Sequence, residues 1–170
     1  REFLFSVAEY WLSRGIDGWR LDVPNEINDD SFWQEFRLRV KNINKDAYIV
    51  GEIWDNPSRW LQGDQFDGVM NYRLRKLLLE TFLSQTNEFQ EKFSAFSKEL
   101  VNVCAGNFGV SLNLLSSHDT RRLMSQANSS IKKMKMLWTL LFFLPGVPCI
   151  YYGEEIAMEG GKDPDNRRCF

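Results

Sequence analysis

The chain has 170 residues, 44% hydrophobic and 26% charged, a globular composition that argues against disorder. With 21 basic and 23 acidic residues the formal net charge is −2, which disfavours a nucleic-acid partner gripped mainly through phosphates. The longest apolar run, residues 136–144 with Thr139 inside it, is far shorter than the ~20 residues that span a bilayer, so no membrane partner is expected.

Residues 3–14 read as a helix with Phe5, Ala8, Tyr10, Trp11 and Leu12 on its apolar side, stopped by Gly15. Residues 16–23 read as a strand that Pro24 ends. Ser31-Phe32-Trp33-Gln34 has the form of a capping box and opens a helix with Phe32, Phe36 and Val40 four apart. Residues 47–53 and 66–71 read as the second and third strands. Leu74, Leu77, Leu78 and Phe82 make one helical stripe, and Phe89, Phe93, Phe96 and Leu100 make another. A fourth strand over 110–115, a helix over 130–143 and a fifth strand over 147–152 complete the series; Leu144-Pro145-Gly146 breaks the last helix.

Helix and strand alternate throughout, which predicts a parallel sheet with crossover helices. An open doubly wound sheet and a TIM barrel both fit this pattern. No GxGxxG follows a strand, so dinucleotide binding has no support. Cys104, Cys149 and Cys169 are odd in number and lack CxxC spacing. They are expected to be reduced thiols of a cytoplasmic protein, with Cys104 and Cys149 near packed elements. No cofactor and no metal ion is expected, since no cluster of acids and carbonyls reads as a calcium loop.

Sites in α/β folds gather at strand C-termini. Three acids stand there. Asp22 ends Gly18-Trp19-Arg20-Leu21-Asp22, and strand alternation puts Arg20 and Asp22 on one face. An adjacent guanidinium keeps such a carboxylate ionised, as a nucleophile at a sugar carbon requires. Glu52 ends Tyr48-Ile49-Val50-Gly51-Glu52, among Ile49, Val50, Ile53 and Trp54. Desolvation against such surface raises a carboxyl pKa, which suits a general acid. Asp119 follows the fourth strand beside His118, the single histidine. Each has a plainer explanation: a self-satisfied ion pair for Asp22, a turn cap for Glu52, a helix N-cap for His118-Asp119. Three acids at strand ends together exceed what capping predicts.

At these residues the sequence resembles the α-amylase family of glycoside hydrolases. Gly15-Ile16-Asp17-Gly18-Trp19-Arg20-Leu21-Asp22-Val23-Pro24-Asn25-Glu26 looks like the family's strand-four motif, Gly51-Glu52-Ile53-Trp54 its strand-five motif and Ser117-His118-Asp119 its strand-seven motif. Phe66-Asp67-Gly68-Val69-Met70-Asn71-Tyr72, Tyr151-Tyr152-Gly153-Glu154-Glu155-Ile156 and the run from Glu159 to Arg168 are similar to the neopullulanase, cyclomaltodextrinase and maltogenic amylase subgroup.

The resemblance implies a (β/α)8 barrel of which residues 1–170 carry strands four to eight, the C-terminal part. It implies Asp22 as nucleophile, Glu52 as acid and base, and Asp119 as the group that holds the distorted sugar. Arg20 would orient Asp22, and His118 would bond the same sugar. Trp54 and Tyr72 would stack on glucose rings or line the barrel mouth, and Asn25 and Glu26 would touch leaving-side sugars. Residues 165–168 would reach the non-reducing side or pair at the surface. Arg121 stands where relatives often carry Pro, and Arg73 likewise departs after Asn71-Tyr72; both bear on acceptor-side specificity.

The implied reaction is retaining hydrolysis of α-1,4 or α-1,6 glucosidic bonds in maltooligosaccharides, cyclodextrins or pullulan. Two alternatives stand beside it: transglycosylation, and a non-catalytic carbohydrate-binding or partner-binding subunit. A half-barrel exposes two strand edges and an apolar inner face. The 170 residues alone are therefore expected to self-associate or belong to a longer chain, and to hydrolyse substrate negligibly.

Overall fold

Gly18 sets how closely the first two strands approach: a Cβ there would lie 2.0 Å from the carbonyl oxygen of Tyr48. In the computed structural model, which describes residues 1–83, 89–104 and 109–170, the chain divides into two units, Arg1–Met70 and Asn71–Phe170. The expected surroundings of Cys104 lie outside the described residues. No helix among the described residues is long and apolar enough to cross a membrane.

In the first unit, α1 (Glu2–Leu12) precedes β1 (Gly18–Leu21), α2 (Asp30–Ile43), β2 (Tyr48–Gly51) and β3 (Gly68–Val69). The three strands form a parallel sheet in the order β1-β2-β3. Gly18 pairs with Tyr48, and Leu21 with Gly51. Phe5, Ala8 and Leu12 of α1 are buried, and Phe5 stacks on Phe32 of α2 at 5.0 Å between ring centroids. Tyr10 and Trp11, expected on the apolar side, are about half exposed. The start of α2 also differs from the expected capping box. Asp29, not Ser31, is the N-cap: its carboxylate accepts from the Phe32 N–H at 3.1 Å. The Ser31 hydroxyl donates to that same carboxylate at 2.7 Å. A carboxylate at this position also meets the positive end of the helix dipole, an advantage a hydroxyl lacks.

β3 is two residues long where six were expected. Its flanks are drawn elsewhere: the Phe66 N–H bonds the Trp60 carbonyl at 3.0 Å, and Asn71 turns away to cap the next helix. Asp67, just ahead of β3, ties the sheet to α2. Its carboxylate accepts from Arg37 at 2.7 Å, Lys41 at 2.8 Å and the Ile49 N–H at 2.9 Å. Burial alone would raise this carboxyl, but the two cations and the amide outweigh it and hold it below the ordinary carboxylate range. A lowered native pKa adds stability that is present above the unfolded value, about 4, and is lost as the pH falls through the native one. Asp67→Asn is therefore expected to cost roughly 2 kcal/mol at pH 7, with the gap to wild type shrinking below about pH 4. Urea unfolding of both proteins at pH 7 and pH 3 measures it; a gap independent of pH would contradict the assignment.

In the second unit, α3 (Tyr72–Phe82) and α4 (Phe89–Cys104) precede β4 (Leu112–Leu114), the short α5 (Leu123–Gln126), α6 (Ile131–Phe143) and β5 (Val147–Cys149). β4 and β5 pair in parallel, Leu112 opposite Val147. The first expected helical stripe is used; of the second, Phe96 is buried and Leu100 packs partly against the core, while Phe89 and Phe93 are about half exposed. Leu74 and Leu78 are fully buried with Leu137, Leu141 and Phe96 in one core cluster, each such Leu contributing about 2 kcal/mol. Phe82 meets the α4 ladder edge-on, 5.4 Å from Phe96. The fifth strand ends at Cys149 rather than 152, because Tyr151 and Tyr152 leave the ladder to flank the Arg122 guanidinium, each 4.6 Å away.

Candidate active site

In the first unit the parallel register decides the chemistry. Because Leu21 lies opposite Gly51, Asp22 and Glu52 each stand one residue past their strand, side by side. The Glu52 N–H extends the ladder to the Leu21 carbonyl at 2.9 Å. Gly51 leaves room beneath: a Cβ there would meet the Phe66 ring at 2.7 Å and Pro24 Cγ at 3.3 Å.

Arg20 bridges both carboxylates. One terminal nitrogen pairs with Asp22 Oδ1, and the other lies 2.9 Å from Glu52 Oε2. The Val23 N–H donates to the same Glu52 oxygen at 3.1 Å. Glu52 is 3% exposed, whereas the Asp22 side chain is 76% exposed. The expectation of an apolar setting for Glu52 is thus half met. Its neighbours Ile49, Val50 and Ile53 are buried, yet the carboxylate oxygen rests on a cation and an amide. The partnership of Arg20 with Asp22 is present, and the sharing with Glu52 is additional.

Val23 adopts φ 32°, ψ 55°. A β-branched residue in the left-handed region, and ahead of a proline, carries strain of about 1–2 kcal/mol. That backbone aims the Val23 N–H at Glu52. Asn25 and Glu26, both exposed, follow on the 3-10 turn Pro24–Glu26, whose Pro24 is buried. Trp54 lies just past β2 and is 43% exposed.

In the second unit, His118 and Asp119 sit on the turn that follows β4. His118 Nε2 lies 2.9 Å from Asp119 Oδ2. The Asp119 N–H donates to Ser117 Oγ at 3.2 Å. The helix cap considered for this pair is not what it does, since Arg122 occupies the N-cap position of α5. Tyr72 is buried and its hydroxyl is 3.0 Å from Ser117 Oγ, so its ring offers almost no face to a sugar. Arg167 reaches the Asp119 carboxylate at 3.4 Å, the His118 carbonyl at 3.2 Å and Asp163 at 2.9 Å. Asp165 and Arg168 pair with each other, and the Gly161 N–H also bonds Asp165 at 2.6 Å. Those two residues follow the surface-pairing alternative.

Sequence reasoning missed the layer beneath this turn. Arg122, Glu154 and Asn166 are all fully buried. Glu154 Oε1 accepts from Ser116 Oγ at 2.5 Å and from the Leu123 N–H at 3.2 Å. Burial pushes the Glu154 carboxyl up, and these bonds together with Arg122 only partly offset that. Local sequence hides Arg122 and Asn166, which sit in stretches rich in polar neighbours; Glu154 lies among Tyr151, Tyr152 and Ile156, but the adjoining Glu155 gives it the look of a surface acid. A cavity of about 630 Å³ in this unit, bordered by Met134, Trp138, Phe142, Ile150 and Glu154, contains none of the predicted site residues.

The family model for the α-amylase catalytic domain matches residues 1–168. A cyclomaltodextrinase from Bacillus sp. is 48% identical over 172 residues, covering all of this chain and 30% of that protein. Neopullulanase 2 from Thermoactinomyces vulgaris is 46% identical, covering 99% of this chain and 28% of that protein. The native form of the Nostoc punctiforme debranching enzyme matches with a TM-score of 0.90 at 44% identity, covering 99% of this chain and 38% of that one. The chain therefore spans less than a third of the length of these two curated relatives. On the extent of this match, the chain belongs to the α-amylase catalytic-domain family, in the group of its cyclomaltodextrinase and neopullulanase relatives, and corresponds to part of the family's (β/α)8 barrel.

Proposed function

We propose that this chain carries the reacting carboxylates of a retaining glycoside hydrolase. Its substrates would be maltooligosaccharides, cyclodextrins or pullulan, cut at α-1,4 or α-1,6 glucosidic bonds. In barrel terms residues 1–170 would supply strands four to eight.

Asp22 is the nucleophile. It is exposed, as a group that must meet an anomeric carbon has to be, and the paired Arg20 guanidinium fixes its direction. Its attack breaks the bond to the leaving oxygen and forms a glycosyl ester. Glu52 gives its proton to that oxygen, then takes one from the water that hydrolyses the ester. Two inversions at one carbon retain the anomeric configuration. Asp119 and His118 bond the hydroxyls of the distorted sugar, and charge on Asp119 favours an oxocarbenium-like transition state.

The observation that carries this reading is the single guanidinium shared by Asp22 and Glu52. It keeps two carboxyl groups close together, as retention requires; retaining enzymes separate theirs by about 5–5.5 Å, inverting ones by about 6.5–9.5 Å. The names of the relatives support the substrate class. Proton NMR of fresh maltoheptaose digests by the native polypeptide tests it. The first reducing ends released are expected to be α-anomers, which then mutarotate. β-Anomers appearing first would overturn the mechanism, and an absence of hydrolysis would favour a binding role.

A further inference from the structure

We infer that Asn166 is a positioning residue for Asp119. Its side-chain amide acts as a three-way clamp on the turn that carries that carboxylate. The inference rests on the reading that Asp119 takes part in catalysis.

The turn's own bonds, among them the one from the Asp119 N–H to Ser117 Oγ, leave the carbonyls on either side of Asp119 to be held from outside. Within residues 117–120 a backbone pair joins the Thr120 N–H to the Ser117 carbonyl at 3.2 Å. Thr120 Oγ1 accepts from the Ser117 N–H at 2.8 Å. The His118 and Thr120 carbonyls take no part in these bonds and face Asn166. Its Nδ2 donates to the His118 carbonyl at 2.6 Å, to the Thr120 carbonyl at 2.9 Å and, at 3.3 Å, to the Ser117 carbonyl. An amide nitrogen has two protons, so the two shorter bonds are full and the third is shared. Turning the amide over would press a carbonyl oxygen against three others, so one orientation is possible. The two bonded carbonyls bracket Asp119, which fixes the direction in which its side chain leaves the backbone.

Asn166 is itself anchored from below. Its main-chain carbonyl accepts from Arg122 Nε at 2.9 Å. Arg122 is locked by a bond from Nη1 to the Tyr152 carbonyl at 2.5 Å and by the rings of Tyr151 and Tyr152. Its own N–H bonds the Gly160 carbonyl at 3.0 Å. A Cβ on Gly160 would lie 2.8 Å from Asn166 Cα, so the chain passes Asn166 with no slack. The next residue, Arg167, touches the Asp119 carboxylate directly, so a shift of Asn166 would move a second contact to the same group.

Catalytic groups need placement to within about 0.5 Å, and a misplacement near 1 Å costs about 10²-fold in rate. Asn166→Asp keeps the shape and turns the donor into an acceptor facing three carbonyls. In the native polypeptide acting on maltoheptaose, its kcat is expected to fall about 10²-fold with KM changed less than about threefold. Asn166→Ser retains one donor and is expected to lose less. Leu141→Ala, in the core cluster away from the turn, supplies a destabilised control whose kcat stays at the wild-type value well below its unfolding temperature. Asp119→Asn separates the two ideas. If that variant keeps wild-type activity, the assignment of Asp119 falls and this inference falls with it. If Asp119→Asn is inactive while Asn166→Asp retains wild-type kcat, only the inference about Asn166 is overturned. Rate losses in the Asn166 variants that merely follow stability, or failure of both to fold, would overturn positioning in favour of a purely structural role.

Discussion

Asp22→Asn in the native polypeptide should lower kcat on maltoheptaose by about 10⁴-fold, with little change in stability. The size follows from what the amide cannot do: it is a poor nucleophile and cannot leave as a carboxylate from a glycosyl ester. The small stability effect follows from position. The Asp22 side chain is 76% exposed, and its ion pair is with Arg20, which keeps Glu52 as a second partner; exposed pairs are worth about 0–1 kcal/mol. Glu52→Gln should behave differently. Turnover of maltoheptaose should fall by about 10³-fold or more, since the leaving oxygen then departs unprotonated. The first step on an aryl glucoside with an acidic phenol should be far less affected, because that leaving group needs no proton. Burst kinetics with such a substrate separates the two steps. Asp22→Asn retaining a tenth of wild-type kcat would remove it from the nucleophile's place. Equal losses on both substrates for Glu52→Gln would remove Glu52 from the acid's.

Much of this arrangement was legible in the chain itself. Strand C-termini are recognisable from apolar runs bounded by Pro24, Gly51 and Ser116-Ser117, and charged residues at such ends are few. Alternation along β1 was enough to pair Arg20 with Asp22. It could not pair Arg20 with Glu52, because that contact depends on the register between β1 and β2, set by the close approach at Gly18. Local pattern also misread the start of α2. Ser31 and Asp29 are both good caps two residues apart, and only the backbone geometry at Asp29, extended rather than helical, decides between them. The layer under Asp119 was hidden for a different reason. Asn166 lies in Asp163-Pro164-Asp165-Asn166-Arg167-Arg168, a run that reads as surface, and its burial comes from residues 40 or more positions away. Tyr72 shows the converse error. An aromatic residue beside a site motif suggests a stacking platform, yet here the ring is interior and its hydroxyl supports Ser117.

Arg20→Met is expected to damage folding and chemistry together, unlike either carboxylate variant. Glu52 is 3% exposed and would keep only the Val23 N–H on Oε2. An unpaired buried carboxylate typically costs 3–5 kcal/mol when its partner is removed. The Arg20 side chain is about one-third exposed, so solvent screens part of this and a loss of roughly 2–3 kcal/mol is expected. Asp22 would lose its orienting cation at the same time, so kcat should fall by about 10²–10³-fold, through the placement of both reacting groups. Arg20→Lys restores the charge but not the fork. One ammonium cannot present two separated nitrogens to two carboxylates, so lysine should recover most of the stability and little of the rate. The double variant Arg20→Met with Glu52→Gln isolates the cause. If the stability loss comes from an orphaned charge, removing that charge should return much of it, and the double variant should be more stable than Arg20→Met alone. Additive losses in that cycle, or wild-type kcat in Arg20→Lys, would show that the shared guanidinium is not what couples Asp22 to Glu52.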